Sequence, residues 1–220
     1  MKYGESAFCI IYLLLAGICG CIILRRARTR TERLMGLATL ILAIGDAFHL
    51  IPRVINHFSD GDLTAALGIG KLVTSITMTL FYVLLYYIWR GLYGEKEDKR
   101  ITAAVWGLTA VRIVLCLFPQ NGWLQNDAGM TWGIIRNVPF TALGVLIVVL
   151  FFRKKDVLRR FKPVWLYVIL SFAFYIPVAA GAGLVPMLGM LMIPKTVCYI
   201  LLILLFVQAV TKDDPVEEQR

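Results

Sequence analysis

The chain alternates between long apolar runs and short polar connections rich in arginine and lysine. Seven runs are long enough, or nearly so, to cross a hydrocarbon core, which takes about 20 helical residues. They lie at about 7–24, 34–52, 66–89, 101–118, 132–152, 163–182 and 186–210. No segment between them is long enough for a soluble domain. The pattern predicts an all-α integral membrane protein, a seven-transmembrane-helix bundle that forms a single domain over residues 1–220.

The positive charges of the connections predict how this bundle is oriented. Of the 23 lysines and arginines, 17 lie in the first, third and fifth connections and the C-terminal tail, whereas Lys2 and Arg53 lie at the opposite side. Because positively charged loops stay in the cytoplasm, we expect the N-terminus outside and the C-terminus in the cytoplasm of a plasma-membrane protein. Its net charge of +9 would indicate nucleic acid in a soluble protein, but here it belongs to the loops, and no nucleic-acid partner is expected.

Five cationic side chains interrupt the apolar runs, and one carboxylate, Asp46, lies among them. The five are Arg53, Lys71, Arg112, Arg136 and Lys195. A charge in the bilayer centre costs at least about 2.5–3.5 kcal/mol on insertion scales, so such residues usually face a cavity or a partner. Five cations cannot all pair with one acid. The sequence therefore predicts an anionic group from outside the fold, either a membrane lipid headgroup or a small molecule.

Helical spacing gathers the polar residues of several helices into stripes. The stripes comprise Asp46, His49, Arg53 and His57 on the second helix, Lys71 and Ser75 on the third, Arg112 on the fourth, and Lys195 with Tyr199 on the seventh. Asp46, Arg112 and Lys195 fall at similar depth in the outer half of the predicted membrane. We expect an outward-opening cleft with an acid and a histidine, Asp46 and His49, at its floor and cations on its walls. Two alternatives stay open: Asp46 forms a structural ion pair with Lys195 or Arg112, and the cations nearest the boundary reach lipid headgroups.

Neither a metal ion nor a cofactor is predicted. A zinc site needs three or four converging ligands, whereas the chain has two histidines, His49 and His57, on one helix. Lys195 lies where a retinal Schiff base would form in a seven-helix protein, but the third helix carries Lys71 and no carboxylate counterion. All five cysteines fall inside apolar runs, so no disulfide framework is expected.

One stretch of the second helix resembles the YhhN-like lysoplasmalogenase family. It reads Gly36-Leu37-Ala38 and then Gly45-Asp46-Ala47-Phe48-His49-Leu50-Ile51-Pro52-Arg53, and Gly70 with Ser75 resembles the family's next helix. The chain differs from the family at Ile76, where the family has histidine. It also lacks the family's second membrane acid and its usual eighth helix.

The resemblance implies a chemistry, the hydrolysis of a lysolipid vinyl ether. Asp46 would then be the catalytic acid–base and His49 its proton relay, while Arg112 and Lys195 would hold the lipid phosphate. A non-enzymatic receptor or transporter for a small anionic ligand is the alternative, and prolines within the spans suit the kinked helices of transporters. In either case the expected ligand contacts are Arg53, Lys71, Ser75, Arg112, Arg136, Lys195 and Tyr199. The pattern indicates no oligomeric state.

Overall fold

The computed structural model describes residues 2–59, 61–127, 129–181 and 186–211, which form seven α-helices. These are α1 (Lys2–Arg26), α2 (Arg30–Phe58), α3 (Thr64–Tyr93), α4 (Lys99–Leu117), α5 (Gly129–Arg153), α6 (Val164–Gly181) and α7 (Met192–Thr211). Short 3-10 turns at Pro119–Asn121, Arg159–Phe161 and Pro186–Leu191 lie between helices. All seven described helices are long and apolar enough to cross a membrane, which confirms that part of the prediction.

The helix ends differ from the predicted bounds by up to six residues. α1 begins five residues early, and α2 continues through Pro52 and Arg53 to Phe58. The prediction ended each span where polar residues begin, but a helix needs only backbone hydrogen bonds to continue. At the other extreme, α7 begins at Met192 because Pro186–Leu191 winds as a 3-10 helix. The predicted connection between the sixth and seventh apolar runs, residues 183–185, lies outside the described residues.

Local signals in the connections explain several of these ends. Thr29 and Glu32 form a capping box at the start of α2, in which each side chain accepts a hydrogen bond from the other residue's backbone N–H. Gly94 ends α3 in the left-handed conformation (φ 61°) that favours glycine. Before α3, hydrogen bonds from the Thr64 side chain and backbone lower the pKa of Asp62. These connections turn the chain back on itself, so neighbouring helices pack against each other.

The tightest helix pair is α2 with α3, which approach through glycines. A Cβ at Gly45 would overlap the side chain of Thr77, and one at Gly70 would overlap the backbone of Phe48 and His49. Thr74 Oγ1 also donates a 2.9 Å hydrogen bond to the Gly45 carbonyl. Small residues with interhelical hydrogen bonds are the usual way in which apolar helices associate.

An aromatic cluster fills the middle of the bundle. The Tyr82 ring packs against Phe140 and Phe172 at centroid distances of 5.2 and 5.4 Å, and Phe81 contacts Tyr199 at 5.8 Å. Buried side chains continue from this cluster toward the end of the bundle that carries the basic connections, where Trp89 Nε1 donates to the Leu150 carbonyl. The opposite end, where α2 ends and α3, α5 and α7 begin, contains two cavities.

Candidate functional site

All five cationic side chains of the apolar runs line one cavity. This cation cavity has a volume of about 560 Å³ and is bounded by residues of α2 to α7. Its cations are Arg53, Lys71, Arg112, Arg136 and Lys195. Among the described residues, the only carboxylate that lines it is Asp127. The structure therefore brings the five cations together without bringing a matching number of acids.

Arg112 is the most deeply buried of the five, with 2% of its surface exposed. Its guanidinium donates from Nη1 to the Arg136 carbonyl and lies 5.2 Å from the centre of the Phe140 ring. Its Nε, also buried, has no hydrogen-bond partner among the described residues. A buried donor without a partner costs about 1–3 kcal/mol. A ligand oxygen that accepted a hydrogen bond from Arg112 Nε would remove this cost.

Arg136 is held in place by the connection between α4 and α5. It donates from Nη1 to Asn121 Oδ1 at 2.9 Å, and the Trp123 ring lies 4.5 Å from its guanidinium carbon. Asn121 is itself fully buried and donates from Nδ2 to the Leu115 and Phe118 carbonyls at 2.7 and 2.9 Å. Trp123 is held in turn by a 2.7 Å hydrogen bond from its Nε1 to the Cys116 carbonyl. Because both of its neighbours are fixed, Arg136 lines the cavity as a preorganised cation rather than extending to a lipid surface.

Lys71 and Lys195 supply the two ammonium groups, and neither is ion-paired to a described residue. Lys195 is 7% exposed, with Nζ 4.9 Å from the Tyr175 ring and 5.4 Å from the Tyr199 ring. Lys71 is half-buried in the second turn of α3. Ser75 lines the same cavity, but its hydroxyl donates to the Lys71 carbonyl at 2.8 Å. Both ammonium groups therefore keep hydrogens for a ligand.

Tyr199 does not line either cavity, contrary to its expected place among the ligand contacts. It is 4% exposed, and its hydroxyl lies 3.3 Å from that of Tyr82 in the aromatic cluster. Tyr175 takes the position nearer the cavity, where its hydroxyl donates to Asn137 Oδ1 at 2.9 Å. Asn137 follows Arg136 directly and is 8% exposed. An amide side chain within an apolar run is the feature of the sequence that could have indicated this part of the cavity.

Asp46 lies in a second cavity, of about 580 Å³, bounded by residues of α1, α2, α3 and α7 and of the turn before α7. We call it the methionine cavity because Met187, Met190 and Met192 line it. Asp46 Oδ2 accepts a 2.7 Å hydrogen bond from the Tyr12 hydroxyl, and Tyr12 is 1% exposed. The predicted cleft is thus two adjoining cavities. Asp46 lines one, all five cations line the other, and Arg53 and Lys195 line both.

Lys195, one expected partner of Asp46, interacts with it through charge at a distance and without an ion-pair contact. No ion pair within 4 Å joins Asp46 to Lys195 or Arg112 in the described part of the chain. His49 makes no hydrogen bond with Asp46, and its Nδ1 is buried without a partner. A direct relay from His49 to Asp46 is therefore not formed, and Tyr12 is the group in contact.

Glu5 is the second acid of this region, which the sequence reasoning missed. It pairs with Arg53 at 2.6 Å, and the two side chains are 30% and 35% exposed. One turn of α2 further on, His57 Nδ1 lies 3.1 Å from the Ser6 hydroxyl. Residues of α1 are thus the partners of Arg53 and His57 in the polar stripe of α2. The prediction placed no charge in this helix because Glu5 precedes the start predicted for α1.

The two cavities share a wall. His49, Arg53, Thr74 and Lys195 line both, together with Gly189 and Met192. Chemically, the arrangement offers two guanidinium groups, two ammonium groups and a shared arginine to an anion, beside a largely apolar space that contains a hydrogen-bonded carboxyl group.

Comparison with protein-family models, with curated proteins and with solved structures found no match to this chain.

Proposed function

We propose that this protein is a multi-pass plasma-membrane protein that binds the anionic headgroup of a lipid or amphiphile in its cation cavity. The observation that carries the proposal is the convergence of five cationic side chains on one cavity, with Asp127 as the only described carboxylate in its lining. Like charges at close range destabilise a fold unless an opposite charge compensates them. Guanidinium forks and ammonium groups are the side chains that proteins use to hold phosphate and carboxylate groups.

The proposed orientation has the N-terminus outside and the C-terminus in the cytoplasm, so the cation cavity opens toward the outside. The basic connections after α1, α3 and α5 support it through the positive-inside rule. A reporter that is active only in the cytoplasm should be active when fused after Thr211 and inactive when fused before Lys2. The reverse pattern would refute this orientation and with it the outward-facing cavity.

Binding of a soluble anion to the purified protein tests the proposal directly. Inorganic phosphate and glycerol 3-phosphate should raise the unfolding temperature in an uncharged detergent, whereas glycerol, and chloride at equal ionic strength, should not. Lys71→Gln should weaken phosphate binding about tenfold or more, because a hydrogen bond to a charged group contributes about 1.5–3 kcal/mol.

Lys99→Gln is the matched control, since Lys99 is an exposed lysine at the start of α4, away from both cavities. It should bind phosphate as the wild type does. If no anion stabilises the wild type, or if the two lysine variants behave alike, the cation cavity is not an anion site.

Hydrolysis of a bound lysolipid, with Asp46 as acid–base, is the second candidate function. The position of Asp46 favours it, because the methionine cavity that Asp46 lines adjoins the cation cavity at His49 and Lys195. The test is release of aldehyde or fatty acid from lysoplasmalogen or lysophospholipid by the wild type and by Asp46→Asn. Release that the variant abolishes supports an enzyme. Binding without release supports the receptor or transporter.

A further inference from the structure

The charge of the methionine cavity is balanced, unlike that of the cation cavity. Its two carboxylates, Glu5 and Asp46, face two cations, Arg53 and Lys195. Arg53 and Lys195 also line the cation cavity, so the cations that belong to it alone are Lys71, Arg112 and Arg136, against Asp127. An anionic group therefore gains Coulomb energy in the cation cavity and little in its neighbour, which suits an uncharged group instead.

The rest of the methionine cavity is mainly apolar. Phe8, Leu50 and Ile193 line it with the three methionines. Methionine side chains are unbranched and flexible, so they adapt to apolar ligands of varied shape. Met187 and Met190 are 75% and 49% exposed, which puts part of this lining at the surface of the bundle beside α7. Such a space accepts a flexible hydrocarbon chain.

We propose that one ligand occupies both cavities: a single-chain alkyl phosphate monoester, with its phosphate in the cation cavity and its chain in the methionine cavity. The inference rests on the proposed function and specifies its ligand. A phosphate monoester carries up to two negative charges, which matches the excess of cations better than a carboxylate does, and its oxygens suit the guanidinium forks of Arg112 and Arg136. The shared wall at His49, Thr74 and Lys195 is where the chain leaves the headgroup.

A chain-length series tests where the chain goes. Inorganic phosphate, butyl, octyl and dodecyl phosphate are titrated into the protein in an uncharged detergent, and affinity is expected to rise with chain length, by at most about fourfold per buried methylene. Ile193→Trp fills the methionine cavity and should reduce dodecyl phosphate affinity at least tenfold while leaving inorganic phosphate affinity unchanged. Val197→Trp is the control: Val197 is one turn further along α7, equally exposed (40% against 38%), and lines neither cavity.

The outcomes separate this inference from the proposed function. If the phosphates bind but Ile193→Trp and Val197→Trp show the same chain-length series, the chain does not enter the methionine cavity, and the anion site stands. If neither inorganic phosphate nor any alkyl phosphate binds the wild type, the anion site itself is refuted.

Photolabelling of the wild type gives the same answer without a variant. A dodecyl phosphate with a diazirine at the chain end should label peptides that contain Phe8 or Met190, and excess unlabelled dodecyl phosphate should suppress this labelling. Labelling confined to residues on the outer surface of the bundle, such as Val111 and Val138, which are 52% and 61% exposed, would place the chain in the surrounding detergent and overturn the inference.

Discussion

Asn121→Ala is the substitution that most directly tests how the cation cavity is built. Asn121 is fully buried and joins the end of α4 to a cavity cation. Its Nδ2 donates to the Leu115 and Phe118 carbonyls at 2.7 and 2.9 Å. Its Oδ1 accepts from Arg136 Nη1 at 2.9 Å. Alanine removes these three hydrogen bonds, together with a longer one of 3.4 Å from Nδ2 to the Cys116 carbonyl, and leaves their partners in place.

The expected loss in the free energy of unfolding is about 3–5 kcal/mol. Each amide–carbonyl hydrogen bond contributes about 0.5–1.5 kcal/mol, and the hydrogen bond to the charged guanidinium about 1.5–3 kcal/mol. The loss falls in the middle of that sum, because the two carbonyls and the guanidinium are partly buried and recover only some of the hydrogen bonding they had. Phosphate affinity should fall as well, since Arg136 is then held on one side only, by Trp123.

Equilibrium unfolding in mixed micelles of increasing denaturing-detergent content measures this loss. Gln120→Ala is the matched control, because Gln120 precedes Asn121 and is exposed; a surface change of this kind stays within about 0.5 kcal/mol. A double-mutant cycle with Arg136→Met isolates the Asn121–Arg136 hydrogen bond and should give a coupling energy of about 1.5–3 kcal/mol.

Two results would refute the reasoning. A loss for Asn121→Ala no larger than that for Gln120→Ala would mean that the end of α4 does not depend on this side chain. A coupling energy near zero would mean that Asn121 does not hold Arg136, and the cation cavity would then lack the preorganisation argued for it.

Two further substitutions, Gly70→Ala and Tyr12→Phe, test contacts that α2 makes with α3 and with α1. Gly70→Ala should lower the free energy of unfolding by about 1–3 kcal/mol, because a Cβ there overlaps the α2 backbone. Gly107→Ala, where a Cβ meets nothing within 4 Å, should raise it by up to about 1 kcal/mol, and equal effects would contradict the close approach. Tyr12→Phe should lower it by about 1–3 kcal/mol, because Asp46 loses the hydroxyl hydrogen bond. Tyr3→Phe, at an 80% exposed position, should leave unfolding unchanged in the same micelle titration.

The seven helices and the convergence of cations could be predicted from the sequence for one reason. A bilayer imposes a length on each apolar run and penalises any charge left facing lipid, so both length and charge are visible in the sequence. Arg112 and Lys195 could be assigned to the same polar region because each lies inside an apolar run, where a charged side chain that faced lipid would be penalised.

The division into two cavities could not be predicted, because it depends on which helices pack together. α1 packs against both α2 and α7, and it thereby brings Tyr12 to Asp46 and Glu5 to Arg53. Nothing in the periodicity of α1 indicates these partners.

Helical spacing also does not show how far along a helix face the cavity extends, and this was a second limit on the predicted site. Tyr199 shares a face with Lys195, but one further turn places it in the aromatic cluster below the cavity floor. Asn121 lies in a connection, where helical spacing gives no information. Its position depends on how α4 ends, and that end is defined only once the chain has folded back over it.

The shared wall makes the two cavities thermodynamically linked. Arg53 and Lys195 line both cavities, so an anion in the cation cavity competes with Glu5 and Asp46 for the attraction of the same two cations. Whatever neutralises either carboxylate strengthens the hold of these cations on the anion, and by reciprocity the bound anion makes that neutralisation easier by an equal factor. Binding in one cavity therefore changes the electrostatic energy of the other through the side chains of Arg53 and Lys195, and this coupling requires no movement of a helix.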